Sequence, residues 1–409
     1  MSKNRSTFSI FAGFTLSVVG GMVFDFGGLV AGSAATFLQS LSLFIPWIFL
    51  IYPLLLTVRG DINGVLTGKL GTALHLGTIK PTWKNNTDRF VHLIVLILIL
   101  TIYDSILISG VTSILGFVLK LNLDFIDVLK IFSITFTTFV FTAIISMTIS
   151  FALTFFIFKK KGDPDVFAYP VTSSVNDILI TIIFAAVCWL YRPWNPVIKL
   201  HYFIGIPIIT LFIALFIFLI VKFRKTTYVK SGILQTLPVL TITNLIAAGT
   251  GTVLASFSVI LSSVPILIVF YPAIISTVGS QSSILANTST TKLHLGTMKP
   301  SLSTLRSRDF TINFAGIITA SLIIITAMSL LGIAIFPEGI TFSIFGSILG
   351  LLIIVNFLSF IIVSLIAISA TFITFRLGMD PDNLVNPLLS SSADLITTTL
   401  LVAVFFLLF

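Results

Sequence analysis

Charge is what this sequence has least of. Of its 409 residues 9% are Asp, Glu, Lys or Arg and 56% are hydrophobic, and the mean hydropathy is +1.15. So little polar surface cannot keep a globule in water, which excludes a soluble fold and leaves no room for a soluble domain beside the apolar runs. Cysteine is almost absent. The single Cys188 rules out an intrachain disulfide framework and any multi-thiolate metal site within one chain. Histidine occurs four times, scattered at 75, 92, 201 and 294, and no HExxH, GxSxG or paired-histidine motif is present, so the chain is not read as an enzyme. The small charge content leans positive, +9 overall. Basic loops against anionic lipid headgroups account for that excess, and no nucleic-acid partner is needed.

What is abundant is uncharged apolar sequence in runs of 18 residues or more, each long enough to cross roughly 30 Å of hydrocarbon as a helix with its backbone bonds satisfied internally. The runs predict helices at roughly 8–32, 37–78 (broken near Gly60), 89–119, 128–158 and 170–190, then at 227–255, 258–297, 309–335, 341–376 and 387–409. An extra uncharged run, Phe203 to Val221, lies between the two sets. The first helix, preceded by Lys3 and Arg5, runs past Gly32 without a cleavage site and reads as retained.

The two sets are one sequence written twice. Tyr52 to Thr82 (YPLLLTVRGDINGVLTGKLGTALHLGTIKPT) returns at Tyr271 to Ser301 (YPAIISTVGSQSSILANTSTTKLHLGTMKPS) with 12 of 31 positions identical, and GDPDVFAYPVTSSVND ending at Asp177 returns as MDPDNLVNPLLSSSAD ending at Asp394. The offsets are 219 and 217 residues. The expected fold is therefore an all-α integral membrane protein: a first repeat over 1–190, a connecting helix and loops over 191–226, and a second repeat over 227–409, about eleven transmembrane helices. Five crossings alone would invert the second copy. One linking helix makes the copies parallel, related by an axis along the membrane normal. With a cytoplasmic N terminus, 17 of the 23 basic residues fall on the inner side and the C terminus at Phe409 is extracytoplasmic. The expected setting is the cell membrane.

That topology sorts the acids by depth. Asp88, Asp163, Asp165, Asp309, Asp380 and Asp382 fall in inner loops; Asp124, Asp127 and Glu338 lie near the outer face, as solvated charges or helix caps. Asp25, Asp61, Asp104, Asp177 and Asp394 are left within the membrane, where an ionised carboxylate costs about 2.5–3.5 kcal/mol on insertion scales unless a cation, a partner or water meets it. Pro170 and Pro387 suit the first turn of a helix, which places Asp177 and Asp394 seven residues in, about 10 Å deep. Ser173, Ser174, Ser390 and Ser391 lie three or four residues earlier and share the aspartates' face. The alternative is a carboxylate held by neighbouring helices for packing. Because both aspartates recur in the repeat, they are expected to share one cation site on the pseudo-twofold axis. Oxygen donors suit magnesium, manganese or calcium, with Asn63, Gln281 and Asn287 as outer-sphere partners. His75 and His294 are also repeat-related, and imidazole would suit zinc, cobalt or nickel; an interfacial hydrogen-bonding role is the alternative. Asp25 (opposite Asn244 in the repeat) and Asp104 are candidates for a second, coupling site. A transporter of an organic solute would need cationic groups at mid-membrane, and Arg59 and Lys69 are the basic residues placed there.

These residues resemble the membrane domain of the MgtE and solute carrier 41 group of magnesium transporters. The group has a glycine-asparagine turn in its second helix and an aspartate in its fifth, both facing the pore. The glycine matches Gly60 and Gly279; the asparagine is replaced by Asp61 in one copy and Ser280 in the other. The fifth-helix aspartate matches Asp177 and Asp394, preceded by GDPD and MDPD. The resemblance covers about residues 8 to 409, apart from the connecting helix. It implies divalent cation transport, most of all of Mg2+, through a pore lined by second- and fifth-helix residues. The CBS-containing sensor region of the bacterial members has no counterpart in this sequence, and the fused arrangement resembles solute carrier 41, associated with exchange against Na+. A sodium-coupled exchanger and a carrier of Mn, Co or Zn are the alternatives. Two fused copies would also let one chain function as a monomer.

Overall fold

In a computed structural model of the protein, described over residues 7–42, 44–121, 123–162, 164–191, 205–257, 264, 266–335, 342–379 and 384–408, the apolar runs fold as helices, and no strand occurs among those residues. The helices are α1 (Thr7–Met22), joined by a 3-10 turn (Val23–Phe26) to α2 (Gly27–Leu41); α3 (Ile48–His75), α4 (Asp88–Val118), α5 (Phe125–Lys159), α6 (Pro164–Leu190) and α7 (Ile206–Phe223); then α8 (Thr227–Ser256), α9 (Ile266–His294), α10 (Arg308–Ile335), α11 (Phe342–Arg376) and α12 (Val385–Leu408). With α1 and α2 taken together, 11 helical spans are long and apolar enough to cross a membrane. The inner-loop residues Asp163, Asp380 and Asp382, the outer-side Arg192, Lys199 and Glu338, and the ends at Lys3, Arg5 and Phe409 lie outside the described residues.

The chain folds as two interlocked halves rather than two side-by-side ones. The α1–α2 span packs on α9 and α10 of the other copy, and its counterpart α8 packs on α3 and α4. Helix α6 packs against α2, α3 and α5, as α12 does against α8, α9 and α11. The close crossings need glycine: a Cβ on Gly32 would run into the Val269 carbonyl, and one on Gly251, its counterpart, into the Leu50 carbonyl. Hydrogen bonds repeat the symmetry. Tyr52 pairs with Thr181 at 3.0 Å, and Tyr271 with Thr398 at 3.1 Å. Helices α3 and α9 form the centre, each 94% buried over its most apolar window, whereas the linking α7 is 6% buried there and leans on α4 and α5. The least apolar spans are thus the enclosed ones. Their hydroxyls, amides and charges face protein, and the lipid side keeps Leu, Ile and Phe.

Three expected details change. The first span continues to Leu41 instead of ending near Gly32, because that glycine is a packing notch for α9, not a stop. Helix α3 is continuous through Gly60, since the space a Cβ would fill there is taken by Ser390 Oγ of α12. Helix α6 begins at Pro164, so Pro170 is internal, while Pro387 does sit in the first turn of α12. Asp124 is a helix cap, as one of its expected roles had it: its carboxylate accepts from Asp127 N at 2.7 Å, and that backbone N–H holds the Asp124 carboxyl below its ordinary value.

Candidate cation site

Where α3, α6, α9 and α12 meet, a buried cavity is lined by Arg59, Tyr169, Ser173, Asp177, Ser276, Gly279, Ser390 and Asp394. Each copy contributes its second and fifth helix, so the two repeat-related aspartates do open onto one space. Both are buried, Asp177 at 1% and Asp394 at 7% exposure, and the cavity measures about 10 Å³, room for roughly one water. The donors converging on it are carboxylates and hydroxyls.

The two aspartates are held differently. Asp394 Oδ2 accepts a hydrogen bond from Thr57 Oγ1 at 2.5 Å. Ser276, the counterpart of Thr57, lies beside Asp177 in the cavity, but Asp177 is ion-paired with Arg59 of α3. The guanidinium Nη1 also donates to Ser173 O at 3.1 Å and to Ser173 Oγ at 3.3 Å. With both acids ionised, the site carries a formal charge of −1 rather than −2. The ion pair makes the two carboxylates inequivalent. Arg59 is the cavity residue that the sequence did not single out as part of the site, and the signal was present: an arginine directly before Gly60 whose repeat counterpart is Val278.

The serines divide by direction. Ser173 and Ser390 line the central cavity. Ser174 and Ser391 do not: Ser174 Oγ donates to Asp25 Oδ1 at 3.3 Å, and Ser391 Oγ donates to Asp61 at 3.1 and 3.2 Å. Ser280 Oγ donates to Asp25 Oδ1 at 2.8 Å. Asp25 and Asp61 are thus the acids of two matching hydrogen-bonded clusters away from the cavity, with the carboxylate on the first span in one and on the second span in the other. Asn244 Nδ2 donates to Asp104 Oδ1 at 2.9 Å, while Asp25 bonds elsewhere, so the three residues expected at one coupling site fall into separate places. Asn63, Gln281 and Asn287 do not line the cavity either. Asn63 Nδ2 donates to Thr172 Oγ1 at 2.9 Å, and Gln281 Nε2 to Asn356 Oδ1 at 3.0 Å, partners on neighbouring helices that outbid an axial role.

His75 and His294 keep their symmetry without forming a site. Each is exposed and meets a phenylalanine edge-on, Phe158 at 5.7 Å and Phe375 at 5.5 Å. Among the described residues no group of three or more His, Cys, Asp or Glu is placed to hold a metal. Lys69, the other intramembrane basic residue, lies 5.4 Å over the Tyr228 ring.

Comparison with known proteins gives the family. The profile of the MgtE divalent cation transporter family matches residues 52–187 and again 271–404, once in each copy and more than half the chain in all. The chain belongs to the MgtE family. Its activity is accordingly divalent cation transport across a membrane, by a transporter family rather than an enzyme family, and the second match is the repeat seen at Tyr271 and Asp394. No curated protein and no solved structure matches the chain.

Proposed function

We propose that this MgtE-family chain carries Mg2+ along the axis between its two copies, with Asp177 and Asp394 as the acids that hold the ion. The observation behind this reading is the shared cavity: two repeat-related carboxylates, 118 and 337 residues from their α3 partners Arg59 and Thr57, open onto one buried space. Ser173, Ser390 and Tyr169 add oxygen donors around it. Hard oxygens of this kind suit Mg2+, which retains waters and takes one or two carboxylates. Space for about one water marks the arrangement as closed, and passage of a hydrated ion requires α3, α6, α9 and α12 to move apart. Both halves of the site come from one chain, so a monomer contains the whole path. The basic-residue bias supports a cytoplasmic N terminus.

Proteoliposomes holding a Mg2+-sensitive dye test this directly. The wild-type chain is expected to pass Mg2+, and the Asp177→Asn, Asp394→Asn double variant is expected to be silent while still folding, because two costly buried charges have been removed. Wild-type flux through the double variant would end the site assignment.

A further inference from the structure

Arg59 lies between two cavities. One is the central site; the other, about 30 Å³, opens on its far side and is lined by Asn63, Thr101, Thr142 and Ser146 of α3, α4 and α5. Its lining mixes these polar groups with Ile62, Leu66, Phe139 and Met147, and two polar atoms at it are unsatisfied. Thr142 Oγ1 is buried with no hydrogen-bond partner, and so is Arg59 Nε. A guanidinium has five N–H donors in a fixed fork, and in its present position Arg59 satisfies only those facing Asp177 and Ser173.

The second copy has apolar residues at the corresponding place. At the seam of second and fourth helices, α9 packs closely on α11, whereas α3 barely touches α5. The residues explain why. In the second copy Val278, Val363 and Ala367 close the seam as one apolar cluster; at the matching positions the first copy has Arg59, Ser146 and Ser150. A charged side chain and a recess with hydroxyls beside it thus stand together on one side of the molecule.

Electrostatics makes the position of Arg59 on Asp177 incompatible with ion occupancy. A guanidinium on Asp177 neutralises half of the site's charge and so stabilises two acids buried without an ion. A divalent cation between Asp177 and Asp394 would meet that guanidinium at contact range, where like charges in a poorly screened interior repel by several kcal/mol. Building on the central-site reading, we propose that Arg59 is a tethered cation: it occupies Asp177 when the site is empty and withdraws into the Thr142 niche when a divalent cation binds. Its return to Asp177 would then help expel the ion. Affinity is thereby set by competition within the chain, which keeps a doubly acidic site from trapping its cargo.

Mg2+ titration of the purified chain, read by thermal stabilisation, tests the competition. Arg59→Met keeps the bulk and removes the charge, and is expected to bind Mg2+ at least about tenfold more tightly; Arg59→Lys is expected to stay near wild type. Affinity of Arg59→Met equal to or weaker than wild type overturns the proposal. Should Arg59→Met fail to fold, the niche itself reports: with Cys188→Ala and Arg59 intact, Thr142→Cys is expected to react more slowly with a small methanethiosulfonate when Mg2+ is present. Labelling that Mg2+ leaves unchanged or accelerates overturns the proposal. The central reading fails separately, and takes this one with it, if the wild-type chain ignores Mg2+ or if Asp394→Asn binds it as tightly as wild type.

Discussion

The two copies of the repeat share one frame but differ in chemistry, and the seam between their second and fourth helices shows this most plainly. In the second copy that seam is sealed by Val278, Val363 and Ala367. In the first it is a recess bordered by hydroxyls and occupied from one side by Arg59. The shared frame shows in the Tyr52–Thr181 and Tyr271–Thr398 pairs and in the glycine notches at 32 and 251. Duplication supplies a symmetric frame. Substitution on one side of it then gives a chemistry that a strictly symmetric pair could not have, since a single arginine placed by symmetry would have appeared twice and cancelled both acids.

The strongest way to break this comparison is to force the symmetry. Val278→Arg places a second guanidinium opposite the first, in a position with no recess to receive it; Val278 is fully buried among apolar neighbours. Destabilisation by at least about 3 kcal/mol is expected, because the side chain overpacks a sealed apolar cluster and the acid on that side, Asp394, is already held by Thr57; it is read as a large fall in the melting temperature in detergent. Melting like wild type would show that the second-copy seam can open, and the asymmetry would lose its meaning.

A smaller effect sharpens the part where the copies agree. Gly32→Val and Gly251→Val each push a side chain into a facing backbone carbonyl rather than into a movable side chain. Each should cost at least about 1–3 kcal/mol by overpacking, and the two losses should be alike. Sharply different losses would mean that the two cross-copy contacts are not equivalent.

Much of this architecture is legible before any coordinates. Apolar runs bounded by charges mark the spans because an unsatisfied backbone cannot sit in lipid, and the duplicated YP…KP and DPD…SS(V/S)xD stretches pair the helices that meet at the centre. The same pairing points to Asp177 and Asp394. Three features are hidden for physical reasons. Gly32 and Gly60 look like breaks because glycine both ends helices and admits close neighbours, and only the facing Val269 and Ser390 reveal which applies. Ser173 and Ser174 are adjacent in sequence, but successive helical residues point about 100° apart; one faces the axis and the other Asp25. The role of Arg59 depends on an ion pair to another helix and on a recess made by a third, and neither leaves a local trace in the sequence.

The central claim is that Asp177 and Asp394 serve one ion, and counting ions tests it most directly. Calorimetric titration of the monomeric chain with Mg2+ should give one site per chain. Asp177→Asn and Asp394→Asn should each keep a single site weakened at least about tenfold, a loss of about 1.4 kcal/mol or more, and the double variant should bind none there. Two sites per wild-type chain, each removed by one substitution with the other left at full strength, would contradict the account: the acids would then belong to two separate sites rather than one.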